Sequence, residues 1–182
     1  PSGIILSGGG DPRKKDLRYR TENELIKISL KENIPTIGLC RGAQAINLFF
    51  GGKLLKVKNH VRRNHRIFGK FINKDKIKVN SYHDYGFYKD TLGKKLNSLA
   101  NSSDKVIKLF THNNYKLLGI MWHPERYKIP KLFNNSISLT RSLLNAAKLG
   151  KFWEGKISKY SPCININFKY PIYKCETKIK MS

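Results

Sequence analysis

Cysteine, acidic side chains and long apolar runs are all scarce in this sequence. There are three cysteines, Cys40, Cys163 and Cys175. The number is odd and no pair has metal-ligand spacing, which excludes a disulfide framework and a cysteine-based metal site and points to a reducing, cytoplasmic setting. No apolar run approaches the roughly 20 residues that cross a bilayer as a helix, so no membrane partner is expected. No charged and then apolar leader pattern is readable; the chain opens on Pro1 and enters a strand almost at once, as expected of a processed or trimmed chain. Acid is the third shortage: 12 Asp and Glu stand against 36 Lys and Arg, a formal charge of +24 over 182 residues. Such a field attracts anions: nucleic acid, anionic membranes or small anionic molecules. The basic residues are spread along the whole chain, densest in "RKKDLRYR" and "KVKNHVRRNHR". Charge alone binds without specificity, so a nucleic-acid partner is not the expectation.

What is present is a globular composition. Apolar residues make up 40% and aromatics 11%, enough for one domain with a proper core. "GIILS" is a buried strand that runs into the glycine loop "GGGD". "TENELIKISLKEN" is a helix, with Thr21 and Glu24 at capping-box spacing. "IPTIGL" is a second buried strand, and "RGAQAINLFFGG" a helix stopped by Gly51 and Gly52. "KLLKV", "RIFGKFI" and "KIKVN" are strands between basic loops, and "KKLNSLANSS" suggests a short helix. "KVIKLF" and "KLLGIMW" flank "THNNY", where Asn113-Asn114 suggests a hairpin turn. "SISLTRSLLNAAKLG" is a final helix ending at Gly150. Strands alternating with helices imply an α/β sheet, partly parallel and covered on both faces.

One stretch carries chemistry. In "IGLCRGAQ", Cys40 lies between Gly38 and Gly42, after an apolar strand and before a helix. G-x-C-x-G in that setting has the logic of a nucleophile elbow. The glycines let strand and helix approach, and the helix N-terminus favours a thiolate. A buried cysteine with no chemical role is the alternative. A base is then needed, and "WHPER" offers one. In an extended segment His123 and Glu125 point to the same side, so Glu125 can orient His123 while the other ring nitrogen faces the thiol. An oxyanion also needs donors. The backbone N–H of Arg41, next after Cys40, is one, and Gly9 in "SGGGD" is a second. The H-x4-H spacing of His60 and His65 fits no helical ligand pair, and no metal or other cofactor is expected.

With these residues in place, "SGGGDP", "IPTIGLCRGAQAIN", "VNSYHDYGF" and "GIMWHPER" resemble the class I glutamine amidotransferases, most nearly the γ-glutamyl hydrolase branch that includes γ-glutamyl-γ-aminobutyrate hydrolase-like proteins. The motifs run in the family's order over about residues 3 to 128. The resemblance implies a flavodoxin-like three-layer αβα sandwich, a mostly parallel sheet with an antiparallel strand extension in a single domain. It implies a Cys-His-Glu triad of Cys40, His123 and Glu125, with oxyanion donors at Gly9 and Arg41. It also implies that Gln44, Ser81, Tyr82 and His83 hold the glutamyl group. "RYRTE" resembles the branch's R-D-x-x-E: Arg18 and Glu22 fit, and Tyr19 stands where Asp is usual. "HVRRNHRI" resembles a loop over the active-site mouth, which makes Arg62, Arg63 and Arg66 candidates for a phosphate or carboxylate.

Two departures shape the remaining expectations. The family has two strands and a helix before the strand "GIILS", which would leave an apolar sheet edge here and a chain poor in stability. Residues 1–150 are read as the amidotransferase-like domain and 151–182 as an extension of unknown role. The expected reaction is hydrolysis of a γ-glutamyl amide through a cysteine thioester, releasing glutamate and an amine or ammonia. The partners then expected are a small γ-glutamyl substrate and an ammonia-using synthase. Release of phosphoramidate from a nucleotide-linked glutamine, in surface-polysaccharide modification, and a non-catalytic, basic nucleic-acid-binding relative are the alternatives.

Overall fold

A computed structural model describes residues 3–69, 77–123 and 126. A seven-stranded sheet organises them. Its strands are β1 (Ile4–Leu6), β2 (Thr36–Leu39), β4 (Val61–Phe68), β5 (Lys78–Tyr82), β7 (Leu96–Ser102), β8 (Ile107–His112) and β9 (Leu117–Ile120). Across the sheet they run β1-β2-β9-β8-β7-β4-β5. The pairs β1–β2 and β2–β9 are parallel. The pairs β9–β8, β8–β7, β7–β4 and β4–β5 are antiparallel. A parallel part with an antiparallel extension is therefore present, the extension being the larger among the described residues. The short strands β3 (Leu55–Lys56) and β6 (Tyr85–Gly86) form a separate ladder.

Successive strand residues face opposite sides of a sheet, and both sides here are apolar. Ile37, Leu109, Leu118, Ile120 and Trp122 belong to one buried cluster, and Leu6, Ile107, Phe110, Leu117 and Met121 to the other. Helices α1 (Leu17–Lys31) and α2 (Arg41–Phe49) cover the second through Ile26, Ala43 and Ile46. β1 is an edge of the described sheet, and Ile5 on it is 64% exposed. The expected helix over 136–150 and the extension 151–182 lie outside the described residues.

Three local expectations are corrected. Helix α1 starts a turn before Thr21, because Asp16 caps it by accepting from the Tyr19 N–H at 2.8 Å. Thr21 is inside the helix and donates to the Leu17 carbonyl. "KKLNSLANSS" is strand β7, paired with β8, rather than a helix. Its Asn and Ser residues are weak helix formers, and the neighbouring strand decides. The β8–β9 hairpin forms as expected, but Asn113 and Asn114 do not take the left-handed conformation of a two-residue turn. His112 organises the loop instead, its Nδ1 accepting from the Asn114 and Tyr115 N–H groups.

Candidate active site

Cys40 sits where β2 ends and α2 begins. Its backbone is at φ 48° and ψ −99°, a region that residues with a Cβ rarely adopt. Two hydrogen bonds hold it there. The Cys40 N–H donates to the Ile120 carbonyl at 2.6 Å, and its carbonyl accepts from the Gln44 N–H at 3.0 Å. The glycines on either side are sterically required. A Cβ on Gly42 would collide with the Leu6 carbonyl, and one on Gly38 would sit 2.5 Å from the Gly42 backbone. Helix α2 thus crosses the sheet closely enough to aim its N-terminus at the thiol, which favours a thiolate.

β9 runs parallel beside β2 and carries His123 to the same end of the sheet. His123 is buried, and its position is set by a side chain 43 residues earlier. Asn80 on β5 accepts from the His123 N–H through Oδ1 at 2.7 Å and donates to the His123 carbonyl through Nδ2 at 2.6 Å. The far side of the imidazole is closed by Gly8, where an added Cβ would come within 2.6 Å of Cε1. Tyr82 meets the ring edge-on, with centroids 5.7 Å apart.

A cleft of about 330 Å³ opens between these elements, and Gly9, Cys40, Gln44, Tyr82, His83 and His123 all line it. Six of the nine residues singled out from the sequence thus meet at one opening. Arg41 does not line it: its guanidinium is buried and donates to Glu22 at 3.0 Å and Asp16 at 3.2 Å. Ser81 is fully buried and does not line the cleft. Glu125 lies outside the described residues. "HVRRNHRI" is strand β4 rather than a loop, because it pairs with β5. Arg62, Arg63 and Arg66 are exposed on it and do not line the cleft.

The glycine loop is clamped from below. Arg18 donates to the carbonyls of Ser7 at 2.7 Å, Gly8 at 3.0 Å and Gly9 at 3.2 Å. In a trans peptide the N–H points opposite the C=O, so binding the Gly8 carbonyl turns the Gly9 N–H away from Arg18. Glu22 anchors the clamp, accepting from Arg18 and Arg41 on one oxygen. Burial pushes the Glu22 carboxyl up, and the two guanidinium groups oppose it. Arg18 and Glu22 thus have a visible task, and Tyr19 at the expected Asp position does not disturb them.

The glutamine amidotransferase class-I family model matches residues 1–138. The chain belongs to that family. A γ-glutamyl-CDP-amidate hydrolase from Campylobacter jejuni is 37% identical over 132 residues, 68% of this chain and 62% of that protein. Component 2 of anthranilate synthase from Azospirillum brasilense is 30% identical over 158 residues, 81% of this chain and 78% of that protein. Among solved structures, a glutamine amidotransferase from Thermotoga maritima shares the fold, with a TM-score of 0.58 at 21% identity over 80% of this chain and 70% of that one. The chain spans 61% to 65% of the length of three curated relatives, the Campylobacter hydrolase among them.

Beneath the cleft of this class I chain lies a polar cluster around a lysine that no motif announced. Lys108, the second residue of β8, is fully buried. Its Nζ lies 2.8 Å from His60 Nδ1, 2.9 Å from Ser81 Oγ and 3.0 Å from His83 Nε2. His60 Nε2 is 2.7 Å from Asp104, and the His60 and His65 rings stack at 4.1 Å. Burial lowers Lys108 to about 7, against the pull of Asp104 and Cys40. Burial and the nearby ammonium hold His83 well below its ordinary value. Burial also lowers His60, although the Asp104 hydrogen bond opposes it. Burial raises Asp104, but hydrogen bonds from His60 and Ser102 outweigh it and leave the acid at about 2. In the sequence, "KVIKLF" looked like an ordinary strand with a solvated lysine.

Proposed function

We propose that the chain hydrolyses a γ-glutamyl amide, with Cys40 as nucleophile. One observation carries the reading: a cysteine on a strained strand-to-helix turn and a buried histidine line the same cleft beside a glycine loop. The Cys40 thiolate attacks the side-chain carbonyl. The N–H groups of Gly9 and Arg41 receive the developing oxyanion, the first presented by the Arg18 clamp. His123, oriented by Glu125, gives a proton to the departing nitrogen as the C–N bond breaks. The γ-glutamyl thioester is then attacked by water, which loses its proton to the same histidine, and glutamate leaves with the thiol restored. Gln44, Tyr82 and His83 contact the glutamyl group, and Ser81 supports them from below. No metal or organic cofactor takes part. Residues 1–150 form the catalytic unit.

Two choices of leaving group have specific support. The Campylobacter relative is named for a γ-glutamyl-CDP-amidate, and Arg126, whose guanidinium lies 4.9 Å above the Tyr82 ring, adds positive charge at the cleft for such an anion. The Azospirillum relative is a synthase component, which supports ammonia passed to a partner. The deciding experiment is a screen of glutamine, simple γ-glutamyl amides and nucleotide-linked glutamine, with glutamate release as the readout. Release is expected from at least one class, with loss to background in Cys40→Ser. A glutamine-like electrophile should label Cys40. A folded chain that releases no glutamate and takes no label would overturn the reading, and salt-sensitive nucleic-acid binding in its place would support the non-catalytic relative.

A further inference from the structure

We infer that Lys108 is a positioning residue of this site: its ammonium fixes the tautomers of His60 and His83, and so leaves the Nδ1–H of His83 as a hydrogen-bond donor for an oxygen of the bound substrate.

The argument is a count of hydrogens. A lysine ammonium has three N–H donors and no lone pair. Three acceptors surround this one at 2.8 to 3.0 Å: His60 Nδ1, Ser81 Oγ and His83 Nε2. Each ring nitrogen that receives a hydrogen must itself be bare. A neutral imidazole carries one proton, so it moves to the other nitrogen of each ring. On His60 that is Nε2, and there Asp104 Oδ2 waits at 2.7 Å to accept it. The His60 side of the cluster thus closes with every polar atom matched. On His83 the proton goes to Nδ1. That atom is buried and has no hydrogen-bond partner among the described residues. The Tyr85 carbonyl, whose nearness favours a protonated ring, also accepts from Gln44 Nε2 at 2.6 Å.

An unmatched buried donor is costly, and such groups collect where a ligand completes them. His83 is 95% buried and lines the cleft beside Cys40 and Gln44. The fitting ligand is a hydrogen-bond acceptor, a carboxylate or carbonyl oxygen. The opposite tautomer would present a lone pair there and repel it. Desolvation disfavours the charged form of both histidines beside the ammonium, which agrees with this count. Every ionisable group that shifts or faces the cluster enters the same balance: His60 and His65 from the β4 side, His83 after β5, Asp104 from the β7–β8 turn, and Cys40 at the start of α2. The placement of the substrate oxygen rests on the amide-hydrolase reading; the tautomers do not.

The test is long-range ¹H–¹⁵N correlation spectroscopy of the full chain labelled at its five histidines. It needs no substrate. At about pH 6, His60 is expected with its proton on Nε2 and His83 with its proton on Nδ1. In Lys108→Met, His83 should shift toward the Nε2–H form that imidazole prefers in water. If Lys108→Met does not fold, raising the wild-type pH to about 9 removes one donor and should disturb the His60 or His83 signals. An Nε2–H tautomer of His83 in the wild type would overturn the inference. So would tautomers unchanged in a folded Lys108→Met chain. Where a γ-glutamyl amide is cleaved, Lys108→Met should raise KM by about tenfold with a smaller fall in kcat; the expected tautomers without any cleavage would refute the function and leave this assignment standing.

Discussion

Cys40 and Asn80 show how little a side chain's own identity says about its task. Cys40 is 6% exposed, as an inert cysteine would be, and yet its backbone is strained and its thiol is at the cleft. The glycines around it made that legible from the sequence. Asn80 was not legible, because it pairs with a backbone 43 residues away and leaves no local pattern. Asn80→Ala should free the His123 backbone to drift. The expected result is a fall in kcat on the order of 10²-fold with KM little changed, read from steady-state glutamate release. Lys108 gives a prediction in pH. The folded chain holds its proton only to about pH 7, against an ordinary 10.5. Between those values the unfolded chain binds the extra proton, so this group makes stability rise with pH across the window. Urea midpoints at pH 7 and 9 should show that rise in the wild type, and Lys108→Met should flatten it.

Elements were readable where one signal sufficed. The strands β2, β8 and β9 are apolar enough to be buried on both faces, and α2 is bounded by the glycines at both ends. Elements were misread where a longer-range contact decides. β7 carries Asn97, Ser98 and Asn101, which suit neither a helix nor a strand, and its pairing with β8 settles the matter. The start of α1 depends on Asp16, whose carboxylate both caps the helix and meets Arg41 of α2. The crossing of α2 over β1 is an unforgiving contact. Gly42→Ala places a methyl against the Leu6 carbonyl, with backbone on both sides and nothing flexible to yield. The expected cost is about 3 kcal/mol, seen as a drop in the urea midpoint, with Cys40 labelling weakened in whatever folds.

The whole molecule is strongly basic, and the site is a small cleft in it. With +24 formal charge, long-range attraction should speed the arrival of anionic substrates. kcat/KM for an anionic γ-glutamyl amide should fall as salt rises from about 0.01 to 0.15 M, where the screening length shrinks from about 30 to 8 Å. An uncharged analogue at the leaving half should respond less. No described helix is long and apolar enough to cross a membrane. The overall fold was legible because its motifs fall at strand ends in the family's order. The lysine cluster was not, because burial of a charge is a property of the assembled sheet.

That cluster has a consequence for proton traffic. A wire for protons needs every member to accept on one side and give on the other. The Lys108 ammonium only gives, to all three neighbours at once. Below about pH 7 it is therefore an insulator between Asp104 and the cleft, although the chain of polar atoms looks continuous. Protons released in the cleft must leave through its mouth, and the exposed Asp104 on the far side stays out of the circuit.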